Sequence, residues 1–152
     1  MTHVLVGGTF DNLHKGHREI MRKAFEIGDK VLVCVTSDEM AKPKPLSEKI
    51  DGYDKRVEKI VGFLRDSGWM GRADIVKIHD PFSEGMRPGL THIVVSPGTK
   101  ANAVRINEMR KNRGLEPLEI VEMGWVMARD GRPISDVRVR TGEIDGEGSV
   151  KE

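Results

Sequence analysis

Short apolar runs rich in β-branched residues alternate along this chain with segments of helical spacing. Residues 4–6, 31–35, 75–78, 92–95 and 118–121 are short β-rich runs of strand length. Such runs suit parallel strands covered on both faces, because a strand with one wet face alternates instead. Between them, residues 16–27, 53–66 and 102–112 carry the period of helices. In the second, Val57, Ile60, Val61 and Leu64 fall at i, i+3, i+4 and i+7 and form one apolar stripe. Gly68 and Gly114 stand where helix ends are expected, and residues 42–46 and 81–85 read as loops. Alternating β and α segments predict a parallel sheet with right-handed crossovers. The expected fold is α/β: one Rossmann-like domain over residues 1–152, a doubly wound sheet of about five parallel strands with helices on both faces. The tail from 146 to 152 is expected to fray.

Sheets of this kind bind ligands beyond the carboxyl ends of their strands. Residues 7–17, 36–44, 79–87, 96–100 and those from 123 onward then share one end of the fold. The first of these segments is the most informative. Val4 to His17 reads VLVGGTFDNLHKGH: a strand, two glycines expected to turn tightly, a polar loop with Thr9, Asp11, His14 and Lys15, then Gly16-His17 opening a helix. A strand-to-helix junction gathers backbone N–H groups and the positive end of a helix dipole, which favours phosphate. Two histidines three residues apart add hydrogen-bonding or cationic side chains beside it. Taken singly, Gly7-Gly8 reads as an ordinary turn and each histidine as a solvated loop residue; their combination at this junction points to a nucleotide site. The chain lacks GxxxxGK[ST] and lacks GxGxxG after its first strand, which disfavours P-loop and dinucleotide-binding sites. Lys42 and Lys44, stiffened by Pro43 and Pro45, follow the second strand. They are either two solvated lysines or a point charge for the phosphate of a second substrate. Arg56 is equally an ion-pair partner or a ligand contact, and Thr99 reads most simply as a helix cap.

Composition narrows the partners. The 152 residues suffice for a sizeable core, and 25 basic against 24 acidic residues (net charge +1) offer no general attraction to nucleic acid or membrane. One cysteine, Cys34, excludes an internal disulfide framework and accords with a reducing, cytoplasmic location. No stretch approaches the ~20 apolar residues of a membrane span, and residues 1–8 do not resemble a signal peptide.

The constellation Gly7-Gly8-Thr9-Phe10-Asp11 with His14, Gly16 and His17 resembles the HxGH motif of the nucleotidyltransferase superfamily. It is most similar to archaeal-type phosphopantetheine adenylyltransferases and the related domain of eukaryotic CoA synthase. TSDEMAKPKPLSEKIDGYDKR (36–56) and VSPGTKANAVRINEMRKNRGLEPLEIVEM (95–123) extend the resemblance over most of the chain. It implies transfer of AMP from ATP to 4′-phosphopantetheine, giving 3′-dephospho-CoA and pyrophosphate in coenzyme A biosynthesis. Mg2+ would be carried with ATP, with no dedicated metal cluster. The resemblance also implies roles. His17, backed by His14, hydrogen-bonds charge developing on the phosphates, and Thr9 bridges the two substrates. Lys42 or Lys44 holds the attacking phosphate; spacing does not separate them, although Lys44 is the better placed. Gly8, Phe10, Thr99, Asn107, Ile134 and Ser135 would line the nucleotide side, with Arg110 a further contact. The same motif occurs in cytidylyltransferases and archaeal FAD synthetase-like enzymes, and a nucleotide-binding module that has lost catalysis also fits. A monomer or small homo-oligomer is expected.

One segment departs from the pattern. Where the family shows an Ile-Ser-Ser-Thr-x-Ile-Arg run, this chain has Ile134-Ser135-Asp136-Val137-Arg138-Val139-Arg140. Ser135 can still cap a helix. A carboxylate at Asp136, ~5 Å from a phosphate charge, would repel it by roughly 3 kcal/mol at an effective dielectric of 20. Either Asp136 points away as a helix-start residue favoured by the dipole, or ATP binding is weakened, with Arg138 and Arg140 offsetting the charge.

Overall fold

The computed structural model describes residues 1–150. Five strands, β1 (His3–Gly8), β2 (Lys30–Thr36), β3 (Ala73–Ile78), β4 (His92–Val95) and β5 (Glu119–Glu122), form one all-parallel sheet in the order β3-β2-β1-β4-β5. Helices α1 (Lys15–Ile27), α2 (Asp38–Ala41), α3 (Tyr53–Asp66), α4 (Lys100–Asn112) and α5 (Asp136–Arg140) complete the fold. The expected sheet and its three main helices are therefore present, each within about two residues of its expected ends.

Burial explains the layering. Met21, Ala24 and Phe25 of α1 and Ile60 and Leu64 of α3 pack on Val4, Val6, Val31, Val33 and Val35. The alternate residues of the same strands, Leu5, Leu32 and Cys34, face the other way and meet Ala103 and Ile106 of α4. Each central strand is thus apolar on both faces, which is why its sequence does not alternate. Burial pushes the Cys34 thiol up to about 12, leaving it inert.

The chain order reverses between β1 and β4, and the crevice at that switch point opens at the end of β1. Here the structure corrects one expectation. Gly7 and Gly8 do not turn; they remain in β1, paired with Cys34 and Val35. The turn is made instead by Phe10, Asn12 and Leu13, whose φ angles of 54°, 61° and 42° are left-handed. Non-glycine residues adopt this region at a cost. The buried side chains of Phe10 and Leu13 offset that cost by joining the core.

A second correction concerns the C-terminal end. Residues 146–150, expected to fray, are tied down. Ile144 bridges Val150, Asp145 Oδ1 accepts from the Glu147 and Ser149 N–H groups, and Lys15 N–H donates to Gly146 O at 2.8 Å. Residues 151–152 lie outside the described part. The small cluster of Ala128, Ile134 and Ile144 secures this segment, which places α5 against the turn that precedes α1.

Candidate active site

The site grows from the turn after β1. His14 precedes α1, and its Nδ1 accepts the His17 backbone N–H at 3.3 Å, capping the helix. Accepting that bond leaves the ring proton of His14 on Nε2. The His17 ring stacks on that of His14, with centroids 3.7 Å apart and planes 15° from parallel. Both Nε2 atoms face α5. Gly16 makes this stacking possible: a Cβ there would lie 2.8 Å from His14 Cε1. The spacing His-x-Gly-His is thus a steric requirement of the paired rings.

The paired nitrogens meet a carboxylate. Asp136 Oδ1 lies 2.6 Å from His14 Nε2 and 3.0 Å from His17 Nε2. Burial alone would raise the Asp136 pKa; the hydrogen bonds from the two histidines outweigh it and hold the carboxyl far below the usual range. Burial pushes the His17 imidazole below the ordinary histidine value, and its bond to Asp136 only partly offsets this. His17 Nδ1 is buried with no hydrogen-bond partner. Ser135 caps α5 as expected, accepting the Arg138 N–H at 3.3 Å. Asp136, however, neither turns away nor stands free. Its partners are the histidines; Arg140 Nη2 is 3.9 Å from its second oxygen. Arg140 is buried and its Nε lies 2.9 Å from Asp11 Oδ2, out of line for a hydrogen bond. Burial raises the Asp11 pKa, and Arg140 opposes that rise. Arg138 is turned to Asp130 and Glu143 and takes no part.

Two cavities open at this end of the sheet. The larger, about 370 Å³, is lined by Gly8, Thr9, Phe10, His14, His17, Lys44, Thr99, Ile134 and Ser135, so nearly all the residues singled out in the sequence converge on it. The smaller, about 230 Å³, shares Gly7, Gly8, Thr9, Lys44, Val94 and Thr99 with it and continues over Cys34, Met40, Ile78 and Ile106. Thr9 and Lys44 therefore stand in the wall common to both. The Thr9 hydroxyl accepts from Thr36 Oγ1 at 2.9 Å, and its carbonyl accepts from Arg56 Nη1 at 2.9 Å. Arg56 is fully buried and also donates to Asp51 O, so it holds the wall rather than facing a ligand.

Some expected residues are elsewhere. Lys42 is exposed and lines neither cavity, being the residue that ends α2. Asn107 is also outside both: its amide exchanges two hydrogen bonds with the Leu118 backbone and clips α4 to the start of β5. Arg110 donates to the carbonyls of Glu116, Gly85 and Arg87 and is structural. Thr99 makes no side-chain cap on α4; its hydroxyl accepts the Ser96 N–H at 3.1 Å and tightens the loop at the cavity. Trp125, half exposed in the wall of the larger cavity, was missed, although an aromatic soon after the fifth strand is a usable signal. Among the described residues, the group of donors close enough to hold a metal ion is His14, His17 and Asp136. The tautomer of His14 equips that group to donate hydrogen bonds to an anion, because its Nε2 lone pair is taken by the proton.

A family model described as cytidylyltransferase-like matches residues 5–142. A phosphopantetheine adenylyltransferase of Methanosarcina barkeri is 40% identical over 154 residues, covering 99% of this chain and 94% of the relative. The chain belongs to the cytidylyltransferase-like family, among its phosphopantetheine adenylyltransferases. A phosphopantetheine adenylyltransferase of Thermococcus gammatolerans is 44% identical over 143 residues, 93% of this chain and 89% of that protein. A crystal structure of a protein of unknown function from Archaeoglobus fulgidus superimposes with a TM-score of 0.72 at 31% identity, covering 82% of this chain and 99% of that one. The resemblance to archaeal phosphopantetheine adenylyltransferases is borne out.

Proposed function

We propose that this chain transfers the AMP moiety of Mg·ATP to 4′-phosphopantetheine, giving 3′-dephospho-CoA and pyrophosphate. The observation that carries the reading is the wall shared by the two cavities, where Thr9 and Lys44 stand between the paired histidines and a second, largely apolar chamber. Such a chamber suits an aliphatic arm with amide groups, and the larger one suits a nucleotide. A phosphate oxygen of 4′-phosphopantetheine attacks the α-phosphorus of ATP; that bond forms as the bond to the bridging oxygen of pyrophosphate breaks. The nucleophile is already an anion near pH 7, so no base is needed and catalysis is positioning plus charge stabilisation. Lys44 holds the attacking phosphate. The Nε2–H groups of His14 and His17 stabilise charge on the phosphate oxygens as the leaving group departs. Magnesium arrives as part of the nucleotide substrate, keeping several of its waters. An inert, buried thiol at Cys34 accords with work in a reducing cytoplasm.

The test is to incubate the chain with Mg·ATP or Mg·CTP and 4′-phosphopantetheine and to weigh the products. The expected result is dephospho-CoA and one pyrophosphate per turnover from ATP. No transfer from ATP, or preferential transfer from CTP, overturns the reading.

A further inference from the structure

Asp136 sits on the histidines as a ligand would. One carboxylate oxygen is 2.6 Å from one Nε2 and 3.0 Å from the other, which is how an anionic oxygen is held between two N–H donors. The stacked rings converge on a single acceptor, and the Nδ1 cap keeps the His14 proton on the converging side. The carboxylate is 28% exposed and lines the larger cavity, so a ligand can reach it. An alternative partner is in place, since its other oxygen is 3.9 Å from Arg140 Nη2.

We infer that Asp136 is an intramolecular anion occupying the phosphate seat of His14 and His17, and that a phosphate ligand binds by displacing it toward Arg140. The inference rests on the adenylyltransferase reading only in taking that ligand to be the nucleotide. Its physical content is a competition. The seat is never empty, so a ligand oxygen gains only the difference between its own bonds to the histidines and those it replaces. A singly charged anion gains little. A pyrophosphate group, with more charge and more acceptor oxygens, wins the seat. Asp136 therefore sets the affinity for phosphates and selects against weak anions.

The test measures pyrophosphate binding by calorimetry in magnesium-free buffer for the wild-type chain, Asp136→Asn and Asp136→Ser. Asparagine keeps the shape without the charge, and serine cannot reach the rings; thermal melts report that both fold. Binding tighter by about tenfold or more is expected in both variants, serine showing the larger gain. Placing Asp136→Asn in a His17→Gln background separates displacement from a general charge effect: the gain should shrink there. Equal or weaker binding in the variants, no binding by any of them, or a gain that persists undiminished without His17 overturns the inference. So does weaker ATP binding by the variants only when magnesium is present, which would make Asp136 a ligand of the nucleotide's metal. Pyrophosphate binding does not depend on adenylyl transfer. Tighter binding by the variants with no dephospho-CoA from the wild-type chain would therefore sink the enzymatic reading and leave this inference standing.

Discussion

Gly16 and His14 cannot vary independently: a Cβ at position 16 would stand 2.8 Å from His14 Cε1 and 3.1 Å from its Nδ1. Neither ring atom can yield without breaking the cap on α1 or the stack on His17. Gly16→Ala should therefore displace the ring while leaving the sheet intact. The expected outcome is a fall in turnover of about 10²-fold with an unchanged far-ultraviolet circular dichroism spectrum, since misplacement by about an ångström costs that much. Turnover at the wild-type level would show that the ring position is not critical.

His17→Ala removes one of the two converging donors. Loss of a single donor to developing phosphate charge typically costs ~10²–10³ in rate. The drop should appear in kcat, with the far-ultraviolet circular dichroism spectrum still that of the folded chain. Steady-state kinetics with ATP as the varied substrate decide it, and an unaltered kcat removes His17 from the mechanism.

The two loop lysines should behave differently. Lys44 reaches both cavities, whereas Lys42 is exposed and reaches neither. Lys44→Ala is expected to raise the KM for 4′-phosphopantetheine and lower kcat, by roughly 10–10² in kcat/KM, as befits a lost charge-assisted contact. Lys42→Ala should be near neutral. Equal effects of the two substitutions would contradict the placement of Lys44 in the shared wall.

Much of this architecture is readable from the residues. Val31–Val35 is apolar throughout because both faces of β2 are covered, and α3 shows its stripe because one face is wet. What escaped is chiefly non-local. The Asp136 contact to His14 joins residues 122 apart in the chain, and no local pattern reports a pairing of that kind. Asn107 is offered as a ligand contact by the family resemblance alone, and the Leu118 backbone takes both its amide groups. Propensity places the turn after β1 at Gly7-Gly8. It is made by Phe10, Asn12 and Leu13, where core packing outweighs the cost of left-handed backbone.

Arg56 carries a stability prediction. It is fully buried, and its guanidinium serves Thr9 O, Asp51 O, Thr36 Oγ1 and Asp38 Oδ1. Arg56→Met leaves two carbonyls without that donor and should cost about 2–3 kcal/mol, or a melting temperature lower by roughly 5–10 °C. Urea unfolding measures it; a change under about 0.5 kcal/mol would show that the carbonyls find other donors.

Acid should weaken the fold in two stages. His3 and His17 both lie below the ordinary histidine value, each chiefly through burial. The unfolded chain then binds more protons than the native one as pH falls below about 6.5, so stability declines from there. Asp136, held far below the usual carboxylate range, adds a second decline beneath the ordinary aspartate value of 3.8. Urea midpoints between pH 8 and 5 should fall for the wild type and fall less for His17→Gln. A midpoint constant over that range contradicts the burial of both imidazoles in neutral form.

The most direct measurement is a crystal structure with a non-hydrolysable ATP analogue and magnesium. The phosphate oxygens are expected within about 3 Å of both Nε2 atoms of His14 and His17, with the Asp136 carboxylate turned to Arg140. An analogue bound with its phosphates away from the stacked rings, or rings that separate to receive it, would contradict the account.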